Sequence, residues 1–97
     1  MTINEAILKQ ISNIVKKKFV IENSELNRIG ELLGYEWNNI SDALSNDGIC
    51  GEDGSGYTTM NREKNNKYSD NKMVNDIFVA LFASNKDIHE VYILDNF

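Results

Sequence analysis

Trp37-Asn38-Asn39, with Ser41 two positions on, are the side chains of this sequence best suited to reading another molecule. A carboxamide holds a donor and an acceptor side by side, so Asn38 and Asn39 each match an edge offering the complementary pair, such as N6/N7 of adenine. The Ser41 hydroxyl can bond a phosphate oxygen. Trp37 is the only tryptophan. It is either core or, turned outward, an exposed aromatic of the kind that marks interfaces. Glu36 and Asp42 frame the group, and no Lys or Arg occurs between Arg28 and Arg62. Two carboxylates there oppose a polyanion and suit a basic surface.

Bond-breaking chemistry has little to work with. Cys50 and His89 are the only thiol and the only imidazole, and neither has a partner nearby in sequence. That argues against a structural zinc site or a Cys–His dyad. Neither a Ser-His-Asp arrangement nor a framed carboxylate pair stands out, so no catalytic residue, metal or cofactor is expected. Gly48, Gly51, Gly54 and Gly56 resemble a phosphate-cradling loop only in composition: no Lys follows, and Glu52-Asp53 would repel a phosphate. A hairpin turn explains them better. Asp47, Glu52 and Asp53 miss the spacing of a calcium loop and read as a solvated acidic turn.

The elements that would position Trp37 to Ser41 follow from Gly30 and Gly34, four residues apart in LNRIGELLGYEWNNISDALSN, residues 26–46. A small residue in a first helix lets a second approach closely, and a glycine ending the first helix reverses the chain. Ile40, Ala43 and Leu44 then pin the second helix, about 36–45, across the first. This is helix-turn-helix spacing. Ahead of it, Ile3, Ile7, Ile11 and Ile14 make one apolar stripe, predicting a helix over 3–17. Phe19-Val20-Ile21 predicts a short strand, and Asn23 or Ser24 a helix cap. Ile49-Cys50 and Tyr57–Met60, joined through the glycine-rich turn, predict a hairpin. Residues 61–72 read as a polar loop. Ser69 or Asp70 would cap a helix carrying Met73, Val74, Ile77, Phe78, Ala80, Leu81 and Phe82, apolar around so much of its girth that it must be buried or in an interface. Ile88–Leu94 favours a closing strand.

Ninety-seven residues make one domain, 1–97. No apolar run is long enough to span a bilayer, and the N-terminus lacks a signal-peptide layout, so no membrane association is expected. One cysteine permits no internal disulfide and fits a reducing, cytoplasmic setting. The net charge of −5 is unevenly spread. Residues 1–22 carry +2 and residues 61–72 another +2, while residues 23–48 carry −4. The acidic balance therefore falls on the helix-turn-helix.

Helix, short strand, helix, turn, helix, then hairpin is the order of a winged helix. Residues 3–60 resemble the winged-helix branch of the helix-turn-helix superfamily, most closely in IGELLGYEWNNISDAL, 29–44, with GICGEDGSGYTTM, 48–60, in the place of the wing. The resemblance implies an α+β fold: a helix-turn-helix core (26–46), a hairpin wing (48–60), and a C-terminal helix plus short strand (69–94) in a position often used for dimerisation. It also implies sequence-specific binding of double-stranded DNA by a homodimer, as a transcriptional regulator or a plasmid or phage segregation factor. Trp37, Asn38, Asn39 and Ser41 would then lie at bases. Lys16, Lys17, Lys18, Arg62, Lys64 and Lys67 would lie at phosphates, provided the fold brings both clusters beside the second helix. The other reading starts from charge. Glu36, Asp42, Asp47, Glu52 and Asp53 would form an acidic face that blocks a basic, nucleic-acid-handling protein, as an inhibitor or antitoxin does.

Overall fold

Seven elements follow one another in the computed structural model, which describes residues 5–16, 20–46 and 57–94. They are α1 (Glu5–Val15), β1 (Val20–Glu22), α2 (Asn23–Leu32), α3 (Trp37–Asn46), β2 (Tyr57–Asn61), α4 (Lys72–Ser84) and β3 (Glu90–Leu94). The fold is a small α+β domain with a mixed sheet in the order β1-β3-β2. β3 runs parallel to β1, with Ile21 opposite Ile93, and antiparallel to β2, with Thr59 opposite Tyr92. Alternation along the strands sends Ile21, Val91 and Ile93 into the core, with the helices packed on that face.

The apolar stripe of α1 is present: Ile11 and Val15 are buried, with Ile7 and Ile14 packed against the core. The cap of α2 differs from the expected Asn23 or Ser24. Glu22, the last residue of β1, caps it: its carboxylate accepts the Glu25 N–H, while the Glu25 carboxylate accepts the Glu22 N–H at 3.2 Å. Strand and helix are therefore joined with no intervening loop, and Asn23 is drawn into the interior. α4 is likewise capped by Asn71 and not by Ser69 or Asp70. Asn71 Oδ1 accepts the Val74 N–H at 3.1 Å, and Ser69 Oγ supports it by accepting the Asn71 N–H.

Gly34 ends α2 with φ of 94°, a left-handed conformation that a side chain strains. The Gly34 N–H reaches Glu31 O and the Tyr35 N–H reaches Gly30 O, both at 3.0 Å, closing the last turn. α3 then crosses α2 at Gly30. A Cβ there would lie 2.5 Å from Ile40 Cδ1 of α3 and 3.2 Å from Ile77 Cδ1 of α4. Three helices thus meet on one bare backbone position.

α4 is part of the core. Val74, Ile77, Phe78, Ala80, Leu81 and Phe82 are all buried, and α4 packs against α1, α2 and α3. β3 is not a peripheral strand but the central one, between β1 and β2. The expected hairpin partner Ile49-Cys50, with most of the expected wing, lies outside the described residues. The described partner of β2 is β3, some thirty residues later, with α4 carried in the connection.

Gly30→Ala is expected to cost about 1–3 kcal/mol, the usual penalty of overpacking a filled core. A urea melt should show the loss as a lower midpoint at unchanged slope, and Ile40→Val in the same chain should recover part of it.

Candidate recognition surface

α3 divides cleanly into two arcs. Ile40, Ala43 and Leu44 are buried, while Trp37, Asn38, Asn39, Asp42 and Asn46 are exposed, as is Glu36 just before the helix. Trp37 faces outward, with 48% of its surface exposed. Ser41 is half-buried at the edge of the arc, where its Oγ accepts a long hydrogen bond of 3.4 Å from Asn27 Nδ2. Of the expected base-reading set, Trp37, Asn38 and Asn39 share an open surface, and Ser41 is turned toward α2. Glu36 and Asp42 belong to the same surface, whereas Asp47, Glu52 and Asp53 lie outside the described residues.

The start of α3 is held by a contact with no signature in the sequence. Tyr35, in the turn, donates its hydroxyl proton to Asp76 Oδ2 of α4 at 2.5 Å, and Lys72 Nζ meets the same oxygen at 2.8 Å. Burial pushes the Asp76 carboxyl up, but the Lys72 and Tyr35 hydrogen bonds outweigh it and leave its pKa below the ordinary value. The bond to Asp76 raises the Tyr35 pKa, and the same carboxylate raises that of Lys72. Tyr35 is thereby a strut between the α2–α3 turn and the first turns of α4.

The cations expected at phosphates are placed less simply. Lys16 is exposed just past α1, and its carbonyl accepts Asn85 Nδ2 at 2.9 Å, which fixes it at the C-terminal end of α4. Lys17 and Lys18 lie outside the described residues. Lys72, by contrast, sits at the N-terminal end of α4 beside Tyr35. Thirteen residues of helix put the two ends about 20 Å apart. Lys16 and Arg62 therefore share the C-terminal end of α4 at Asn85, while Lys72 lies at the other end.

Arg62 is committed to the fold. Its Nε bonds Ile88 O at 2.9 Å, and Nη2 bonds Phe82 O and Asn85 O at 2.9 Å and Ile88 O at 2.6 Å. The guanidinium also lies 5.2 Å from the centre of the Phe82 ring. Carbonyls left over at the end of α4 thus find a planar cation. Lys67 pairs with Asp70 at 3.0 Å on an open surface, and Lys64 is exposed. The polar stretch carrying them is ordered along α4. Tyr68 stacks on Phe82 at 5.0 Å, and Asn75 Oδ1 accepts the N–H groups of Tyr68 and Ser69.

Other candidate chemistry is sparse. Among the described residues no group of three or more His, Cys, Asp or Glu side chains converges as a metal site, and His89 is exposed. A groove of about 660 Å³ runs between α1 and α2, lined by Gln10, Asn13, Arg28 and Glu31 among others. It lies on the side of α2 away from Gly30, and its charges are mixed. Among the described residues, no helix is long and apolar enough to cross a membrane. No family model, curated protein or solved structure matches the chain.

Asp76→Asn should lower stability at neutral pH by about 1–2 kcal/mol, chiefly through the Tyr35 bond, because the Lys72 pair is open to solvent and screened. Asp76 titrates below its unfolded value, so its contribution is present above about pH 4 and lost as pH falls through the folded pKa. Tyr35 titrates above its unfolded value, so its share is present below about pH 10 and lost as pH rises through the folded pKa. Urea melts across pH should show wild type and variant converging at both extremes.

Arg62→Lys should cost about 2 kcal/mol, since an ammonium cannot bridge three carbonyls in one plane. Lys64→Ala should leave the melt within about 0.5 kcal/mol, as expected of an exposed side chain.

Proposed function

We propose that this chain is a binding module whose exposed α3 face engages a basic surface on another protein, in the manner of an inhibitor or antitoxin that occupies a nucleic-acid-handling partner. One observation carries the reading. Trp37 stands 48% exposed among Glu36, Asn38, Asn39 and Asp42, on a helix with no Lys or Arg. A rigid aromatic able to enter a pocket is the commonest kind of binding hot spot, and a carboxylate rim steers a cationic partner toward it. Lys72, which shares Asp76 with Tyr35 at the start of α3, is already matched.

A second reading keeps double-stranded DNA as the partner of a homodimer. It is favoured by the crossing of α3 over α2 at Gly30 and the left-handed Gly34, both in keeping with the winged-helix resemblance of residues 29–44. Asn38 and Asn39 would read bases, and Lys64, Lys67 and Lys16 would meet phosphates. The commitment of Arg62 to backbone carbonyls and the carboxylates on α3 make it the weaker reading.

The two differ in salt dependence and in which side chains matter. The chain is expected not to retain random-sequence duplex DNA even at about 50 mM salt, where counterion release favours binding most. In host extract, wild type should capture a basic protein that Trp37→Ala and Asp42→Lys lose by tenfold or more, about 1.4 kcal/mol, while Lys64→Ala retains it. Duplex binding that falls steeply with salt and is lost in Lys64→Ala or Lys67→Ala would overturn the protein-partner reading in favour of the DNA one.

A further inference from the structure

Among the described residues, helices pack on one face of the sheet only. We infer that its other face is a second docking surface, fitted to a short extended protein segment rich in arginine or lysine. Strand alternation and register bring Val20, Tyr57, Tyr92 and Leu94 together on that face, with Glu22 and Glu90 at its corners. Val20 is 44% exposed and Tyr57 is 43% exposed, two of the most open large apolar side chains described. Tyr57 and Tyr92 meet edge to face, with ring centres 5.5 Å apart and planes at 85°.

Size and charge choose the occupant. At a strand spacing of about 4.8 Å and a rise of about 3.3 Å per residue, three strands of at most five residues offer roughly 230 Å². A stable dimer buries about 800 Å² of accessible surface on each partner, and so narrow a footprint suits one extended segment better than a second folded copy of this chain. Two copies would also bring four carboxylates of a chain of net charge −5 into one interface. A segment of five or six extended residues matches the length of the strands, about 17 Å.

The charged side chains on the face are the two glutamates, and among the described residues no Lys or Arg shares it. Glu90 neighbours Tyr92 closely enough to raise its hydroxyl pKa, and Glu22 is held by its part in capping α2. A guanidinium lying on a tyrosine ring beside a carboxylate gains both cation–π and ionic attraction. Nucleic acid would meet the same carboxylates as repulsion. This surface is separate from the α3 face and does not depend on its reading.

The test uses the isotopically labelled full-length chain titrated with an octapeptide of alternating arginine and threonine, followed by amide chemical shifts. Saturable shifts centred on Val20, Tyr57 and Tyr92 are expected, with the Trp37 indole unmoved. Tyr57→Ser should weaken the peptide about tenfold and Glu90→Gln about threefold. Trp37→Ala should leave its affinity unchanged, which separates this surface from the one on α3. Both weakening substitutions lie on exposed positions, and a thermal melt verifies that each variant folds. Shifts centred on α3, shifts spread without saturation over every carboxylate, indifference to Tyr57→Ser, or a stable dimer in sedimentation that buries Tyr57 would each overturn the inference.

Discussion

The missing side chain of Gly30 sets the relation between the three helices that matter most. Ile40 of α3 and Ile77 of α4 both rest where its Cβ would be, the nearer at 2.5 Å. Interiors are packed as densely as organic crystals, so one bare position shared by two neighbours fixes both at once. Gly34 then turns the chain within a few residues, and α3 begins with Trp37 at the surface. Once Ile40, Ala43 and Leu44 are committed inward, the helical period leaves Trp37, Asn38, Asn39 and Asp42 facing out. The chemistry available to a partner is thus a geometric consequence of two glycines.

That part of the molecule was legible because its determinants are local. Apolar periodicity and glycine spacing within residues 26–46 carry the helices, the turn and the crossing. The caps were misplaced for a reason that is also physical. Asn23, Ser24, Ser69 and Asp70 are all competent caps, but burial of Asn23 and the zero-length join of β1 to α2 hand that task to Glu22. At α4, Ser69 instead supports the capping Asn71. Strand pairing was less legible still. Residues 57–60 alternate in a way that suits any neighbour, and β3 meets them across a connection containing a whole helix. Nothing in a short β-prone run names a partner that distant.

Electrostatics shows the same limit. Residues 61–72 sum to a positive segment and read as a reserve of free cations. Lys67–Asp70 and Lys72–Asp76, at spacings of three and four, are pairs that sequence can suggest. Arg62 gives no such hint, because its acceptors are backbone carbonyls of Phe82, Asn85 and Ile88, brought close only by the return of the chain along α4. Tyr35 and Asp76, forty-one residues apart, were invisible for the same reason. Formal charge counts carriers, whereas recognition depends on how many remain uncommitted.

The two ends of the α2–α3 contact are built differently. Near the start of α3, Ile40 seats on Gly30 and Tyr35 is tied to Asp76, so the backbone leading into Trp37 is braced by α2 and by α4. Further back along α2 lie Asn27 and, one turn before it, Asn23, both buried. Among the described residues their Oδ1 atoms have no hydrogen-bond partner, and the bond from Asn27 to Ser41 is long at 3.4 Å. The bracing contacts are therefore found where α3 presents its aromatic and amide side chains. The proposed binding face gains from that bracing, because a backbone held before an encounter loses less entropy on association.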